Sequence, residues 1–378
     1  MKFSNRSGIM KNTIEIRAGN ASYEIIIGKN VLEPFFQNKL PQLGSGRIFV
    51  ILDENVYKLH NKRIDQLLKN TEIISHKYVL PEGEQSKSVE TWSKLNGFML
   101  QKEVKRNSLL LAVGGGVTGD VAGFAAASVL RGIPLIHIPT TLLAMVDSSI
   151  GGKTGINHDA GKNLIGAFYQ PQKVLADISF FASLPFKEWV NGLSEVLKYA
   201  FIQNYGILKD VEFFLDTDTD FHKYDKLVPL IEKCVHVKAE IVEKDEFESG
   251  IRAFLNFGHT FGHALEKEAG YSKISHGEAV YAGMVAAVFL SNKLGAGLDQ
   301  KPVEKFRELY RYHPDIPGFD VQSLIRNMKS DKKRLGSGHR LILLKDWEEP
   351  FVYTTRDETL LEETWLYTLN FLKEKERS

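Results

Sequence analysis

Two textures of hydrophobic patterning divide the chain. Up to about residue 180, short aliphatic and β-branched runs recur between helical stretches: RIFVIL (47–52), SLLLAV (108–113) and IPLIHIP (133–139). None of them alternates with polar residues, which is how strands covered on both faces read, so they predict buried parallel strands. Such strands separated by helices make an α/β layer architecture. From about residue 185 the apolar positions fall at helical spacing instead, in WVNGLSEVLKYAFI, LVPLIEKCVHVKAEIVEKD, NFGHTFGHALEKEAG and GEAVYAGMVAAVFLSNKLG. The expected fold class is an α/β N-terminal domain, a Rossmann-like parallel sheet, over residues 1–184, followed by an all-α C-terminal metal-binding domain over 185–378. The hinge is expected near Pro185, and RLILLKD (340–346) as a late short strand. The polar first dozen residues are expected to be loosely ordered.

Composition narrows the function classes. The chain has 378 residues, 43% hydrophobic and 25% charged, which is an ordinary globular make-up. Lys plus Arg (48) nearly balances Asp plus Glu (47), which argues against nucleic-acid or membrane binding driven by bulk charge. A single cysteine, Cys234, excludes an intramolecular disulfide and suits a reducing compartment. No apolar run approaches the roughly 18 residues of a membrane span, and the N-terminus lacks a secretory h-region. A soluble, cytoplasmic protein is expected.

Three stretches carry candidate chemistry. After SLLLAV comes GGGVTGD (114–120), whose glycines formally match GxGxxG between a strand and a helix, where free backbone N–H groups and the helix dipole suit a pyrophosphate. Asp53 and Asn55 sit at the carboxyl end of an earlier strand, where a ribose or a ring amide can be read. The alternative is that the glycines serve only a tight turn and close helix packing. PTTLLAMVDSSIGGKTGIN (139–157), with Lys162 and Asn163 beyond it, offers hydroxyls, amides and ammonium groups to an oxygen-rich anion. It is no Walker A loop, because Asp147 stands where GxxxxGK[ST] needs glycine. NFGHTFGHALE (256–266) puts His259 and His263 four apart on one helical face, either a metal pair or two histidines that share a face.

Longer runs then match a known family. RGIPLIHIPTTLLAMVDSSIGGKTGINHDAGKNLIGAFYQP, GLSEVLKYAFI, GIRAFLNFGHTFGHALE, HGEAVYAGM and DKK, in order over residues 45–345, closely resemble the 3-dehydroquinate synthase family of the shikimate pathway. The resemblance implies a phosphate-eliminating carbon–oxygen lyase that uses NAD and one divalent ion, Zn2+ or Co2+. Its small-molecule substrate is a phosphorylated sugar acid, 3-deoxy-D-arabino-heptulosonate 7-phosphate. In that chemistry the C5 alcohol is transiently oxidised by NAD, phosphate leaves by β-elimination, the ketone is reduced again, and the opened ring closes by an intramolecular aldol reaction. The substrate's own phosphate takes the C6 proton. A homodimer is also expected on this ground, with no nucleic-acid or membrane partner.

Carried onto this sequence, the resemblance makes Glu195, His259 and His276 the metal ligands and leaves His263 to contact the substrate. It assigns phosphate and carboxylate contacts to Arg131, Lys153, Asn163, Lys198, Lys238, Arg252, Asn256, Lys332 and Lys333, with Asp147 orienting the lysines or a water on the metal. For NAD it gives Asp53, Asn55, Glu84, Lys87, Gly115, Gly116, Asp120, Thr140, Thr141, Lys162 and Ser183, the last where many relatives carry threonine. LKDWEEPFVY (344–353) departs from the family's usual ending. Competing readings are another sugar-phosphate cyclase, a metal-dependent polyol dehydrogenase such as glycerol dehydrogenase, and a catalytically dead binding protein. Arg252, Leu255, Asn256 and the intact DKK favour the first family over its cyclase relatives.

Overall fold

The structure is a computed structural model that describes residues 11–19, 21–40, 46–215, 227–329 and 338–373. Lys332, Lys333 and the first ten residues lie outside the described residues; of the dozen expected to be loosely ordered, Lys11 and Asn12 are instead part of a strand paired with its neighbour. In chain order the elements begin with β1 (Lys11–Ala18), β2 (Ala21–Gly28), α1 (Leu32–Asn38), β3 (Ile48–Asp53), α2 (Glu54–Lys69), β4 (Ser75–Leu80) and α3 (Val89–Gln101). Then come β5 (Leu109–Gly114), α4 (Gly116–Ser128), β6 (Leu135–Pro139), β7 (Lys153–His158), β8 (Gly161–Phe168) and β9 (Lys173–Asp177). The later part comprises α5 (Phe186–Ile202), α6 (Ile207–Asp210), α7 (Leu227–Lys244), α8 (His259–Glu268), α9 (His276–Lys293), α10 (Lys301–Glu304), α11 (Val321–Lys329), β10 (His339–Leu344), β11 (Pro350–Thr355) and α12 (Glu358–Leu372). By contact the chain forms two compact units, Met1–Glu188 with Asp220–Glu246, and Trp189–Thr219 with Phe247–Ser378.

The first unit is built on a seven-stranded sheet in the order β1-β2-β9-β6-β5-β3-β4. All neighbours are parallel except β1 with β2, where Ile14 faces Ile25 and Ile16 faces Tyr23. The unbroken apolar runs have a direct cause: successive side chains point to opposite faces, and both faces are covered. Ile48, Val50 and Leu52 of β3 join a core with α1 and α2, while Phe49 and Ile51 join a second core with α3 and α4. The chain goes from β3 to β4 at one edge and then crosses to β5 on the other side of β3. That reversal makes a topological switch point at the carboxyl ends of β3 and β5, the place where open α/β sheets leave a crevice.

The helical periodicity of residues 227–245 is realised as α7, yet its contacts run to β1, β2 and the π-helical turn Ala144–Ser148. A division at 184/185 would group α7 with the later helices. Periodicity reveals that a helix has a buried face but not what covers it.

In the second unit, α5 from Trp189 onward and α9 are buried almost all round, and α9 packs against α8, α12 and β10. The expected late strand pairs with β11 as an antiparallel hairpin, so this unit is helical with one hairpin added. The hairpin's turn grips the end of α5. Trp347 lies 4.9 Å from the Phe201 ring and 5.5 Å from the Tyr205 ring, and the Glu348 amide donates to Phe201 O at 2.8 Å. Thus the divergent LKDWEEPFVY segment has a defined packing role. Among the described residues no helix is long and apolar enough to cross a membrane.

Close approach of α8 and α9 depends on missing side chains, since a Cβ at Gly283 would stand 1.9 Å from the Gly258 carbonyl oxygen. Gly283→Ala is therefore expected to destabilise the protein by about 1–3 kcal/mol or more. Gly97→Ala in α3, where an added methyl meets nothing within 4 Å, is expected to stabilise it by about 0.5–1 kcal/mol. Urea unfolding midpoints check both; a Gly283→Ala midpoint at or above wild type would contradict the packing account.

Candidate active site

One face of α5 carries Asn191, Ser194, Glu195 and Lys198, at helical positions i, i+3, i+4 and i+7. Asn191 Oδ1 accepts from the Gly277 amide at 2.5 Å, and Ser194 Oγ donates to the Gly277 carbonyl at 2.6 Å. Tyr310 Oη is 2.8 Å from the same Ser194 oxygen. These bonds pin the first turn of α9 onto α5. Gly277 permits it, because a Cβ there would lie 2.4 Å from the Asn191 carbonyl oxygen. A capping box between Ser275 and Glu278 starts α9, so that His276 becomes its first residue.

Three side chains from three helices meet as a result. Nε2 of His259, the first residue of α8, and Nε2 of His276 each lie 3.4 Å from Glu195 Oε1. One donor atom from each of Glu195, His259 and His276 falls within 4.8 Å of the others. His263 is adjacent, its ring centroid 5.6 Å from that of His259, but it is not in that group.

The electrostatics favour a cation at this point. Glu195 is fully buried, and neither of its oxygens has a hydrogen bond of proper geometry. Burial alone would push its carboxyl up; the Lys198 ammonium and His259 outweigh that and hold it well below the usual carboxylate range. Burial also lowers the His259 pKa, favouring the neutral ring. His259 Nδ1 lies 3.1 Å from Phe257 O, so the tautomer this carbonyl accepts leaves the Nε2 lone pair turned toward Glu195. A lone pair facing a carboxylate oxygen repels it unless positive charge stands there. For His276 burial is opposed by Glu195 and Glu266, whose carboxylates raise its pKa overall. Donor atoms held tetrahedrally at about 2.0–2.1 Å from zinc are roughly 3.3–3.4 Å apart, which matches the two observed separations. Two imidazoles and one carboxylate are also a catalytic rather than a structural donor set, with positions left open.

The remaining candidates of the second unit are not members of that donor group, though Lys198 adjoins it. Lys198 pairs with Glu195 Oε2, Arg252 is 1% exposed, and Asn256 Nδ2 donates to Glu248 Oε1 at 2.6 Å. Glu248 and Glu266 were not among the expected residues. The available signal for Glu266 was its place seven residues after His259, on the same face of α8.

In the first unit, the switch point gathers most of the expected cofactor residues. β5 ends at Gly114, Gly115 is the N-cap of α4 without a side-chain cap, and Gly116 opens the helix. An N-terminus without a side-chain acceptor suits an anionic pyrophosphate. Asp53 ends β3, and its Oδ1 accepts from the Asn55 and Val56 amides at 2.8 and 3.3 Å, so it also caps α2. Burial, the largest influence, raises the Asp53 pKa. Lys87 Nζ reaches Asp120 Oδ2 at 2.7 Å and also the Asn163 side chain. Asn157, absent from the expected set, donates to Glu84 Oε1 at 2.8 Å and accepts from the Asn163 amide at 2.9 Å. The structure thus ties Asn163 to Glu84, Lys87 and Asp120.

Thr140 and Thr141 adjoin the same turn, where a Cβ at Gly115 would stand 3.3 Å from Thr141 Cγ2. The Thr140 amide donates to Gly114 O at 3.0 Å, and Thr141 Oγ1 accepts from the Ala144 amide at 3.1 Å. Asn55 Nδ2 donates to Glu82, and Ser183 Oγ is 2.7 Å from His60 Nε2. Lys238 Nζ donates to both the carbonyl and Oδ1 of Asp147, at 2.7 and 2.8 Å. Arg131 and Lys153 are exposed and Lys162 half-buried.

Comparison with known proteins gives the family and the fold. The N-terminal 3-dehydroquinate synthase family model matches residues 77–191, and the C-terminal one residues 192–334. The 3-dehydroquinate synthase of Bacillus cereus is 40% identical over 353 residues, covering 92% of this chain and 96% of its own. A crystal structure of 2-deoxy-scyllo-inosose synthase complexed with carbaglucose-6-phosphate, NAD+ and Co2+ superposes with a TM-score of 0.79 at 25% identity, over 94% of this chain and 99% of the other. The 2-epi-5-epi-valiolone synthase of Streptomyces hygroscopicus, solved with NAD+ and Zn2+, has the same fold, with a TM-score of 0.83 at 23% identity over 94% of this chain and 98% of its own. With the two family models matching adjoining stretches that together span residues 77–334, the chain belongs to the 3-dehydroquinate synthase family.

Proposed function

We propose that this chain is a 3-dehydroquinate synthase, a carbon–oxygen lyase that converts 3-deoxy-D-arabino-heptulosonate 7-phosphate into 3-dehydroquinate and phosphate. The observation that carries the reading is the convergence of His259 and His276 Nε2 on one oxygen of buried Glu195. Those three residues would hold a Zn2+ or Co2+ ion, and the α4 N-terminus with Gly115 and Gly116 would receive the pyrophosphate of NAD. When bound, the ion would lower the pKa of a substrate hydroxyl and NAD would supply reversible hydride transfer, with no net redox change.

The protein's own residues supply charge and position. Asp53, Asn55, Glu84, Lys87, Asp120, Thr140, Thr141, Lys162 and Ser183 are assigned to the cofactor, with Asp120 and Lys87 already ion-paired at 2.7 Å. Arg131, Lys153, Asn163, Lys238, Arg252, Asn256, Lys332 and Lys333 are assigned to the phosphate and carboxylate of the substrate. Lys198, paired with Glu195, serves the same end of the reaction while holding that carboxylate charged. Asp147 fixes the direction of Lys238 through two hydrogen bonds, so the ammonium reaches an anion with little rotamer entropy left to lose. His263 is assigned to the substrate. No side chain is needed as base for the C6 proton, which the departing phosphate takes. The enzyme acts as a cytoplasmic homodimer in this reading.

Incubation with the heptulosonate 7-phosphate, NAD+ and Zn2+ or Co2+ should release phosphate and carbocyclic product in equal amounts without NADH accumulation. NADH accumulating with glycerol, or no phosphate, would favour a polyol dehydrogenase or an inactive protein instead. Exhaustive chelation should abolish turnover, and added Zn2+ or Co2+ should restore it. Glu195→Ala and His259→Ala should lose bound metal and turnover together, whereas His263→Ala should keep the metal and lose activity; metal analysis after gel filtration separates these outcomes. Lys153→Ala should impair kcat/KM for the sugar phosphate by about a hundredfold or more while NAD+ affinity stays within twofold. Unchanged kinetics would remove Lys153 from the substrate set.

A further inference from the structure

α8 carries His259, His263 and Glu266 at positions i, i+4 and i+7, a single polar stripe on a helix whose Phe261, Ala264 and Leu265 are buried. Glu266 is only 3% exposed. A buried carboxylate persists where opposite charge or donors compensate it. Its Oε1 lies 3.5 Å from Nδ1 of His276, the ring nitrogen opposite the one that faces Glu195. His259 has a different support, since its Nδ1 meets the neutral Phe257 carbonyl. One imidazole is therefore backed by a peptide group and the other by a carboxylate.

Both histidines are also the first residues of their helices. The positive ends of two helix dipoles thus meet where a divalent cation would bind, and this is unfavourable for the ion. Glu195 alone offsets part of that field, and its Oε2 is already engaged with Lys198. A second buried carboxylate behind one ligand corrects the balance. The His276 ring is also the less enclosed of the two, with its side chain 33% exposed against 13% for His259, so packing constrains it less.

We propose that Glu266 is a positioning residue for the divalent ion. It accepts the Nδ1 proton of His276, which fixes the tautomer with a free Nε2 lone pair, holds the ring toward Glu195, and strengthens the ring as a donor. This inference rests on the reading of Glu195, His259 and His276 as the metal ligands. Carboxylates that support ligating histidines in this way change metal affinity by about 10–100-fold when removed.

The test is metal affinity, measured on apoprotein by competition with a chromophoric chelator for Zn2+, with the visible spectrum of the Co2+ form as a second readout. Glu266→Gln keeps size and an acceptor but loses the charge, and should bind Zn2+ about tenfold more weakly with shifted Co2+ bands and an apoprotein melting temperature close to wild type. Glu266→Leu should approach a hundredfold loss, measured at a temperature where its circular dichroism shows a folded apoprotein. Wild-type Zn2+ affinity and an unshifted Co2+ spectrum in folded Glu266→Gln would overturn the role of Glu266. Failure of the wild-type protein itself to bind either ion would instead overturn the ligand assignment on which it stands.

Discussion

A carboxylate removed from water, with two imidazole nitrogens turned toward one of its oxygens, is the constraint around which the helical unit is arranged. Leaving Glu195 charged in that position costs several kcal/mol unless cationic partners stand beside it. Lys198 supplies one, and the histidines on α8 and α9 define where a second, divalent charge fits. Much of the unit's packing can be read as keeping those three helix segments in register. The Gly277 peptide is held by Asn191 and Ser194, Gly283 allows α8 and α9 to close, and Trp347 with Glu348 fastens the far end of α5.

The sheet unit solves a different problem with backbone rather than side chains. Two cores on opposite faces bury both sets of β3 side chains and leave the strand's carboxyl end open at the switch point. Residues close to one another there come from distant parts of the chain: Asp53, the Gly114–Gly116 turn, and the Lys87, Asp120 and Asn163 group. Charges are therefore paired locally, in keeping with a formal net charge of +1 over the whole chain.

What was legible beforehand follows from which physical signal each feature leaves in a sequence. Strands β3, β5 and β6 announced themselves because burial on both faces forces unbroken apolar runs. β1 was not among the expected strands, although Thr13, Glu15 and Arg17 alternate with buried Ile14, Ile16 and Ala18 as a half-covered edge strand does. Hairpin β7–β8 lay hidden in a glycine- and lysine-rich stretch that reads as loop. The periodicity of α7 was visible while its partner was not, because a buried face does not name what buries it. The HxxxH pair was visible as well, but its spacing alone could not separate His259 from His263. The other two members of the donor group, Glu195 and His276, come from other helices, and only the family resemblance pointed to them. Glu266 and Ser194 escaped because a buried glutamate and a buried serine look in sequence like any helix surface residue.

X-ray absorption at the metal edge of the Zn2+- or Co2+-loaded protein examines the central claim without mutation. The account predicts a first shell of nitrogen and oxygen only, near 2.0–2.1 Å, with the multiple-scattering signature of two imidazoles. A sulfur scatterer at about 2.3 Å, for which Cys234 is the sole cysteine source, or a shell with fewer than two imidazoles would contradict it.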